Sequence, residues 1–327
     1  MHELAAPTLR PLNFVFRQRW TVQLPAPKLN ARFARRRRFI ALGTTGAIAV
    51  IFGRNLLGVS GRGRARFAAG MVLDFLYSRF GPRPEVRTVP DHPMQYMASF
   101  AHDENSAAAR ESPASAILMT IDGSDRDFRW NHSAFVRARH GCPFIIVTPF
   151  VVSNGGHADP ADYPYSPAVF RAAVADPLAF DVAGVAAVLR DVNARCAAIG
   201  TDRPLPVYLT GFSAGGHLTW LLTLTHPEWF AGVAPASANF VGRGIAGVST
   251  DPAAHRLAIH GFQGDADRRA GALNAQWNAA SALAFRNGFR NVTRTVVPGA
   301  GHSPFAAEVV AKFGDLLENR NRARPRG

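Results

Sequence analysis

The chain of 327 residues predicts an α/β fold, a mostly parallel doubly wound sheet with helices on both faces. Two observations predict it. From about residue 88, short apolar runs alternate with longer segments of helical spacing, the pattern of strands joined by crossover helices. The stretch VYLTGFSAGGHLTW (207–220) also passes from a strand-like run, through a serine set among three glycines, into a helix-like run.

The elements follow in order. ASAILMTID (114–122) reads as a strand and RWNHSAFVRARHG (129–141) as a helix stopped by glycine; CPFIIVTPF (142–150) is the next strand. A polar loop with proline, glycine and tyrosine, SNGGHADPADYPYSP (153–167), comes next, and with Tyr163 and Tyr165 it is read either as a cover over the cleft or as an ordinary connecting loop. FDVAGVAAVLRDVNARC (180–196) has apolar residues at helical spacing. LPVYLTG is a strand, and AGGHLTWLLTLTH is a helix closed by Pro227. FAGVAPAS, RLAIHGFQ and VTRTVVPG complete the strands, with the helix ALNAQWNAASALAFRNG between the last two. There is no internal repeat and no sign of a second domain. The expected organisation is a basic leader over 1–66, a connecting helix over 67–87, a catalytic domain over 88–318 and a basic tail over 319–327.

The net charge of +14 invites a nucleic-acid partner, but its distribution excludes one. Residues 1–66 hold thirteen basic residues and one acid, Glu3, whereas the rest of the chain is nearly balanced at +2. The basic excess therefore belongs to the leader and not to a folded, phosphate-reading face. Within the leader, RRRRFIALGTTGAIAVIF (35–52) places an arginine cluster before a 14-residue apolar run, too short for an ordinary membrane span and matching the hydrophobic region of an export signal. Arg36 to Ile40 also resembles the twin-arginine consensus. Export to the periplasm or beyond is expected, with an uncleaved membrane anchor or a disordered basic arm as alternatives. Either of the first two makes the membrane or its export machinery the leader's partner. The two cysteines, Cys142 and Cys196, have no metal-ligand spacing, so zinc is not expected, and they are read as buried thiols.

A strand running into Gly-x-Ser-x-Gly and then a helix is the pattern of a nucleophile elbow. The turn is tight, so Gly211 and Gly215 flank Ser213, whose hydroxyl is lifted to the carboxyl end of the sheet. A serine hydroxyl needs a general base, and the base needs an orienting acid. In this setting the chain order is serine, acid, histidine. Asp265 and Asp267 follow the strand candidate RLAIHGFQ, and His302 lies in the glycine-rich loop PGAGHSP after the last strand. His132, His140, His226, His255 and His260 lie before the acids or within helices and strands, and are read as structural.

VYLTGFSAGG, GDAD followed by NAQW, and PGAGHSP together resemble the α/β-hydrolase superfamily, most of all the esterases related to polyhydroxybutyrate depolymerases and feruloyl esterases. The resemblance covers roughly residues 90–317. It implies an eight-stranded sheet, ester hydrolysis through an acyl-enzyme, and no cofactor or metal. By position it makes Ser213 the nucleophile, His302 the base and Asp267 the acid, with Asp265 as the alternative acid. The Gly264-to-Asp267 spacing matches those esterases, which leaves Asp265 as a turn former that accepts backbone N–H groups or pairs with Arg268 or Arg269. The oxyanion donors implied are the backbone N–H groups of Ala214 and Ser124. The His-Gly step usual at the second donor reads Asp122-Gly123 here, and an ionised Asp122 would repel the oxyanion unless Arg126 or Arg129 paired with it.

The function expected is therefore a serine hydrolase acting on small soluble esters or short hydroxyalkanoate or aryl esters. A serine peptidase of the same fold and a non-catalytic, membrane-tethered binding protein are the alternatives.

Overall fold

The computed structural model describes residues 62–100, 114–139, 142–155, 158–198, 201 and 203–323. The twin-arginine-like run, His140, Arg324 and Arg326 lie outside the described residues.

Eight strands form one sheet: β1 (Glu85–Thr88), β2 (Gln95–Ser99), β3 (Ala116–Ile121), β4 (Phe144–Pro149), β5 (Val207–Phe212), β6 (Gly232–Ala236), β7 (Ile259–Gly264) and β8 (Val292–Val297). Their spatial order is β1-β2-β4-β3-β5-β6-β7-β8. The pairs β1–β2 and β2–β4 are antiparallel and the other five are parallel. This is the α/β-hydrolase arrangement. The antiparallel β1 and β2 are not announced by a continuous apolar run: Glu85–Thr88 is mostly exposed. The sheet accordingly begins three residues ahead of the boundary expected at 88.

The helices are α1 (Arg62–Phe80), α2 (Phe128–Ala138), α3 (Pro167–Ala175), α4 (Pro177–Ala198), α5 (Gly216–Thr225), α6 (Ala270–Arg286) and α7 (Ala306–Arg322). Asp127 caps α2, its side chain accepting the Trp130 N–H, and Ser166 caps α3 ahead of Pro167. α1 begins five residues before the connecting helix expected at 67. α7 runs four residues past the expected boundary at 318, so Arg320 and Arg322 sit on a helix, where Arg322 pairs with Glu318 at 3.0 Å.

Strands β3 to β5 are buried along their whole length, which explains why they read as unbroken apolar runs. Successive residues serve opposite faces. Ile117, Met119, Ile121 and Leu209 face a core shared with Val185 and Val188 of α4 and Leu218 of α5. Ala116, Leu118 and Tyr208 face another, filled by Phe135 of α2 and by Val309 and Phe313 of α7. A smaller cluster gathers Phe128, Phe150, Tyr163, Tyr165 and Phe170 beside the carboxyl end of β4.

The topology fixes where a ligand can be met. After β3 the chain adds β4 on one side, then returns to place β5 on the other, so the order reverses at the β3/β5 pair. The crevice outside the carboxyl ends of such a pair is where open α/β sheets bind ligands. Ile121 pairs with Gly211, which brings Gly123 and Ser213, each two residues further on, to the same level.

Candidate active site

The elbow is built by exclusion. A Cβ on Gly211 would land on the Thr219 hydroxyl and the Gly215 carbonyl, and one on Gly215 would land on the carbonyls of Ile121 and Asp122. Only glycine lets β5 turn into α5 this close to β3. Ser213 itself takes a left-handed φ of 51°, rare for a residue with a side chain and typical of a strained functional turn. The Asn239 N–H donates to the Ser213 carbonyl at 2.8 Å and holds the turn from the β6 side.

Ser213, His302 and Asp267 meet in one hydrogen-bonded chain. Ser213 Oγ lies 2.8 Å from His302 Nε2, and His302 Nδ1 lies 2.7 Å from Asp267 Oδ2. The Asp267 carboxylate is 1 % exposed and the imidazole 26 %. Asp267 Oδ1 accepts the Arg269 N–H at 2.8 Å, and Gln263 Nε2 donates to Oδ2 at 3.4 Å. With these bonds the carboxylate is held at the start of α6, aimed at the imidazole. The Phe212 ring packs on the imidazole with centroids 4.9 Å apart.

Asp265 is placed elsewhere. It is exposed, and its Oδ1 accepts the Gly299 N–H at 2.6 Å, linking the loop after β7 to the loop that carries His302. Four other histidines are engaged away from Ser213. His132 bridges Ser99 and Thr148, His255 contacts the Ser249 carbonyl, His260 sits between Thr293 and Thr295, and His226 stacks on Trp229. Burial pushes the His132 pKa down to about 3, so its ring is neutral.

The two expected oxyanion donors flank Ser213. Ala214 opens the helical turn after β5, where the first amide groups have no carbonyl one turn back to bond. On the other side, a Cβ on Gly123 would stand 3.2 Å from the Ser213 Cβ, so this backbone passes directly beside the nucleophile. The Gly123 carbonyl accepts Asn154 Nδ2 at 2.8 Å and the Arg126 N–H at 3.4 Å. Across a trans peptide the N–H points opposite to the carbonyl, so holding this carbonyl fixes the direction of the Ser124 N–H.

Arg126 completes that brace. Its guanidinium donates to the Tyr163 hydroxyl and to the Ser124 carbonyl, each at 2.8 Å, and to the Gly155 carbonyl. The Tyr163 hydroxyl donates on to Asn154 Oδ1 at 3.4 Å. Behind this segment, the fully buried Asp181 accepts the backbone N–H groups of Val152 and Ser153 at 2.7 to 3.0 Å. Burial outweighs those bonds and pushes its pKa up to about 7.

These contacts correct one expectation. Arg126 does not pair with Asp122: neither Asp122 oxygen makes a hydrogen bond, and no ion pair to it occurs among the described residues. Asp122 is fully buried, and that burial, reinforced by the neighbouring Asp125 carboxylate, drives its pKa well above the carboxylate range. That shift favours the neutral carboxyl over the ionised one beside the turn. The loop read as a cover carries Tyr163 and Tyr165. They are buried, stacked with centroids 5.7 Å apart, and Tyr165 donates to the Phe150 carbonyl at 2.5 Å.

Sequence reasoning passed over Asn154 and Asp181. Their only signals were a polar SNGG following an apolar strand and an aspartate on the apolar side of a helix pattern. Cys142 and Cys196 are not joined in a disulfide. Among the described residues, no group of three or more His, Cys, Asp or Glu side chains is placed to hold a metal ion.

No protein-family model matches the chain, and no curated protein matches it. Several solved structures are similar to it. One is an esterase from Pyrobaculum calidifontis, at 12% identity over 80% of this chain and 92% of that one, with a TM-score of 0.49. Another is the butyrate-bound esterase Est2 from the planctomycete Thermogutta terrifontis, at 13% identity over 75% and 97%, with a TM-score of 0.44. A third is poly(aspartic acid) hydrolase-1 from Sphingomonas sp. KT-1, at 16% identity over 72% and 99%, with a TM-score of 0.46.

Proposed function

We propose that this chain is a serine hydrolase that cleaves small carboxylic esters through an acyl-enzyme. The observation that carries this reading is the unbroken chain Ser213 Oγ–His302–Asp267, with contacts of 2.8 and 2.7 Å, standing on a left-handed turn at the carboxyl end of β5. Ser213 attacks the ester carbonyl while His302 Nε2 takes its proton. Asp267 keeps the Nδ1–H tautomer and stabilises the imidazolium. The N–H groups of Ala214 and Ser124 receive the negative charge that develops on the carbonyl oxygen. His302 then returns its proton to the leaving alcohol, and a water activated by the same nitrogen releases the acid. Ser213 is 4 % exposed, and a nucleophile this recessed favours a small acyl group over the surface of a solid polymer.

The test is hydrolysis of p-nitrophenyl esters from acetate to decanoate, with aminoacyl p-nitroanilides as the amide counterpart. Single labelling at Ser213 by a fluorophosphonate is expected, with activity greatest on the short esters. Labelling at Ser124 or Ser303, or a Ser213→Ala protein as active as the parent, would sink the mechanism. Faster turnover of the anilides would make the enzyme a peptidase.

A further inference from the structure

Helix α1 carries an apolar face that the rest of the fold leaves unused. Its inward side is occupied. Phe67 packs into the core beneath α2 and α7 and lies 3.5 Å from a Cβ built on Gly301, the residue before His302. Asp74 accepts from Arg137 at 2.6 Å, and Ser78 is buried. The outward side holds Ala69, Leu73, Leu76 and Phe80, spaced four, three and four apart, which lines them up in a single stripe. All four are exposed, with Leu73 at 51 %, Leu76 at 38 % and Phe80 at 84 %. A surface helix ordinarily turns polar residues to water. A row of exposed leucine and phenylalanine marks a surface that meets something apolar.

Charge identifies the occupant. The stripe is flanked at its end by the exposed Arg83 and by Arg79, which also pairs with Asp127 at 3.2 Å, and α1 itself contains the last three of the thirteen basic residues that stand against one acid within residues 1–66. An apolar stripe on a helix continuous in sequence with a strongly basic segment matches an anionic lipid surface, with side chains among the acyl chains and arginines at the headgroups. Asp74, the acid in mid-helix, points into the protein and is paired, so it would not be carried into lipid. A second copy of this chain, or the leader's own apolar run behind Arg35–Arg38, would bring arginine-rich segments together. Among the described residues no single helix is long and apolar enough to cross a membrane, so α1 would lie along the surface and not span it.

We infer that the outward stripe of α1, Leu73, Leu76 and Phe80, docks this protein on anionic membrane surfaces. The experiment uses the full chain and co-sedimentation with vesicles of phosphatidylcholine and phosphatidylglycerol at 7:3, against phosphatidylcholine alone. Changing all three residues to serine should lower partitioning to the anionic vesicles at least tenfold, about what the loss of three inserted side chains predicts. Circular dichroism melts should match the parent. A second readout is local. An environment-sensitive fluorophore on Leu73→Cys, in a Cys142→Ala background, should shift to the blue with anionic vesicles only. Unchanged partitioning of the triple variant would overturn the inference, because the leader alone would then bind. A blue shift without lipid would also overturn it, assigning the stripe to the leader or to a second copy.

Discussion

The two sides of Ser213 are built in different ways. On the His302 side the contacts from Ser213 to His302 and from His302 to Asp267 are direct and short, and each residue stands within a few positions of a strand end: Asp267 three past Gly264, His302 five past Val297. On the Ser124 side distant residues join the local contacts. The Gly123 carbonyl is held by Asn154, Asn154 by Tyr163, and Tyr163 by Arg126, which reaches back to Ser124 itself. Beside that ring sits Asp122, buried with no hydrogen-bond partner. The side proposed to move protons is specified by short motifs. The side proposed to hold the oxyanion is specified by contacts from another loop.

The first way to break this comparison is to remove the nucleophile. Ser213→Ala should lower kcat by about 10⁶ while leaving the melting temperature within a few degrees, since a single buried hydroxyl is lost. Steady-state turnover of p-nitrophenyl acetate checks it. Next comes the acid. Asp267→Asn keeps the shape but favours the wrong imidazole tautomer, and should cost about 10⁴ in kcat. Asp265→Asn removes only a carboxylate bonded to the Gly299 N–H and should cost less than about tenfold. If the two aspartate variants rank the other way round, the acid has been misassigned.

On the other side of Ser213 the losses should be smaller and of one kind. Asn154→Ala and Arg126→Ala touch no reacting atom but release the Gly123–Ser124 peptide. Removing an oxyanion donor outright costs about 10² to 10³ in kcat, and losing its brace should cost about 10 to 10². KM for short esters should hardly move, because the brace matters to the charge that develops in the transition state. Arg126→Lys should not restore activity, since one ammonium cannot serve a hydroxyl and two carbonyls in different directions. A rise in KM with unchanged kcat would make the ring a substrate-binding feature instead.

The same division explains what was legible in the sequence. The order of strands and helices from β3 onward was readable because buried parallel strands are continuous apolar runs, and the elbow was readable because sterics leave only glycine at 211 and 215. β1 and β2 were not, since β1 is a mostly exposed edge strand and β2, though buried at its centre, is a five-residue segment of mixed polarity. The choice of Asp267 over Asp265 as neighbour of His302 followed from where β7 ends. The ring through Arg126, Tyr163 and Asn154 was illegible, because it joins residues up to 37 positions apart with no motif between them. Reading Arg126 as the partner of Asp122 assumed that neighbours in sequence pair. The left-handed backbone of Arg126, at φ 53°, accompanies a side chain committed to other partners.

The smallest effect on activity should come from Asp122, and it separates a neutral acid from an ionised one. Because burial favours its neutral form and no ion pair holds it, Asp122→Asn should alter the charge beside Ser213 little, and kcat at pH 7 should stay within about threefold of the parent. Stability should then depend on pH in one direction. The folded pKa is raised above the unfolded value of 3.8, so the folded state binds more protons than the unfolded one across that interval. Whatever stability the neutral form contributes is fully present below about pH 4 and is lost as pH rises toward the folded pKa. The variant lacks this titration. Urea midpoints of the parent and of Asp122→Asn should therefore lie closest near pH 4 and separate as pH rises, with the variant ahead at pH 8. Asp122→Leu should behave alike, because an apolar side chain of similar size replaces a buried group that bonds to nothing. A variant that instead loses ground to the parent as pH rises would mean that Asp122 is ionised and paired, and that the second oxyanion donor works beside a negative charge.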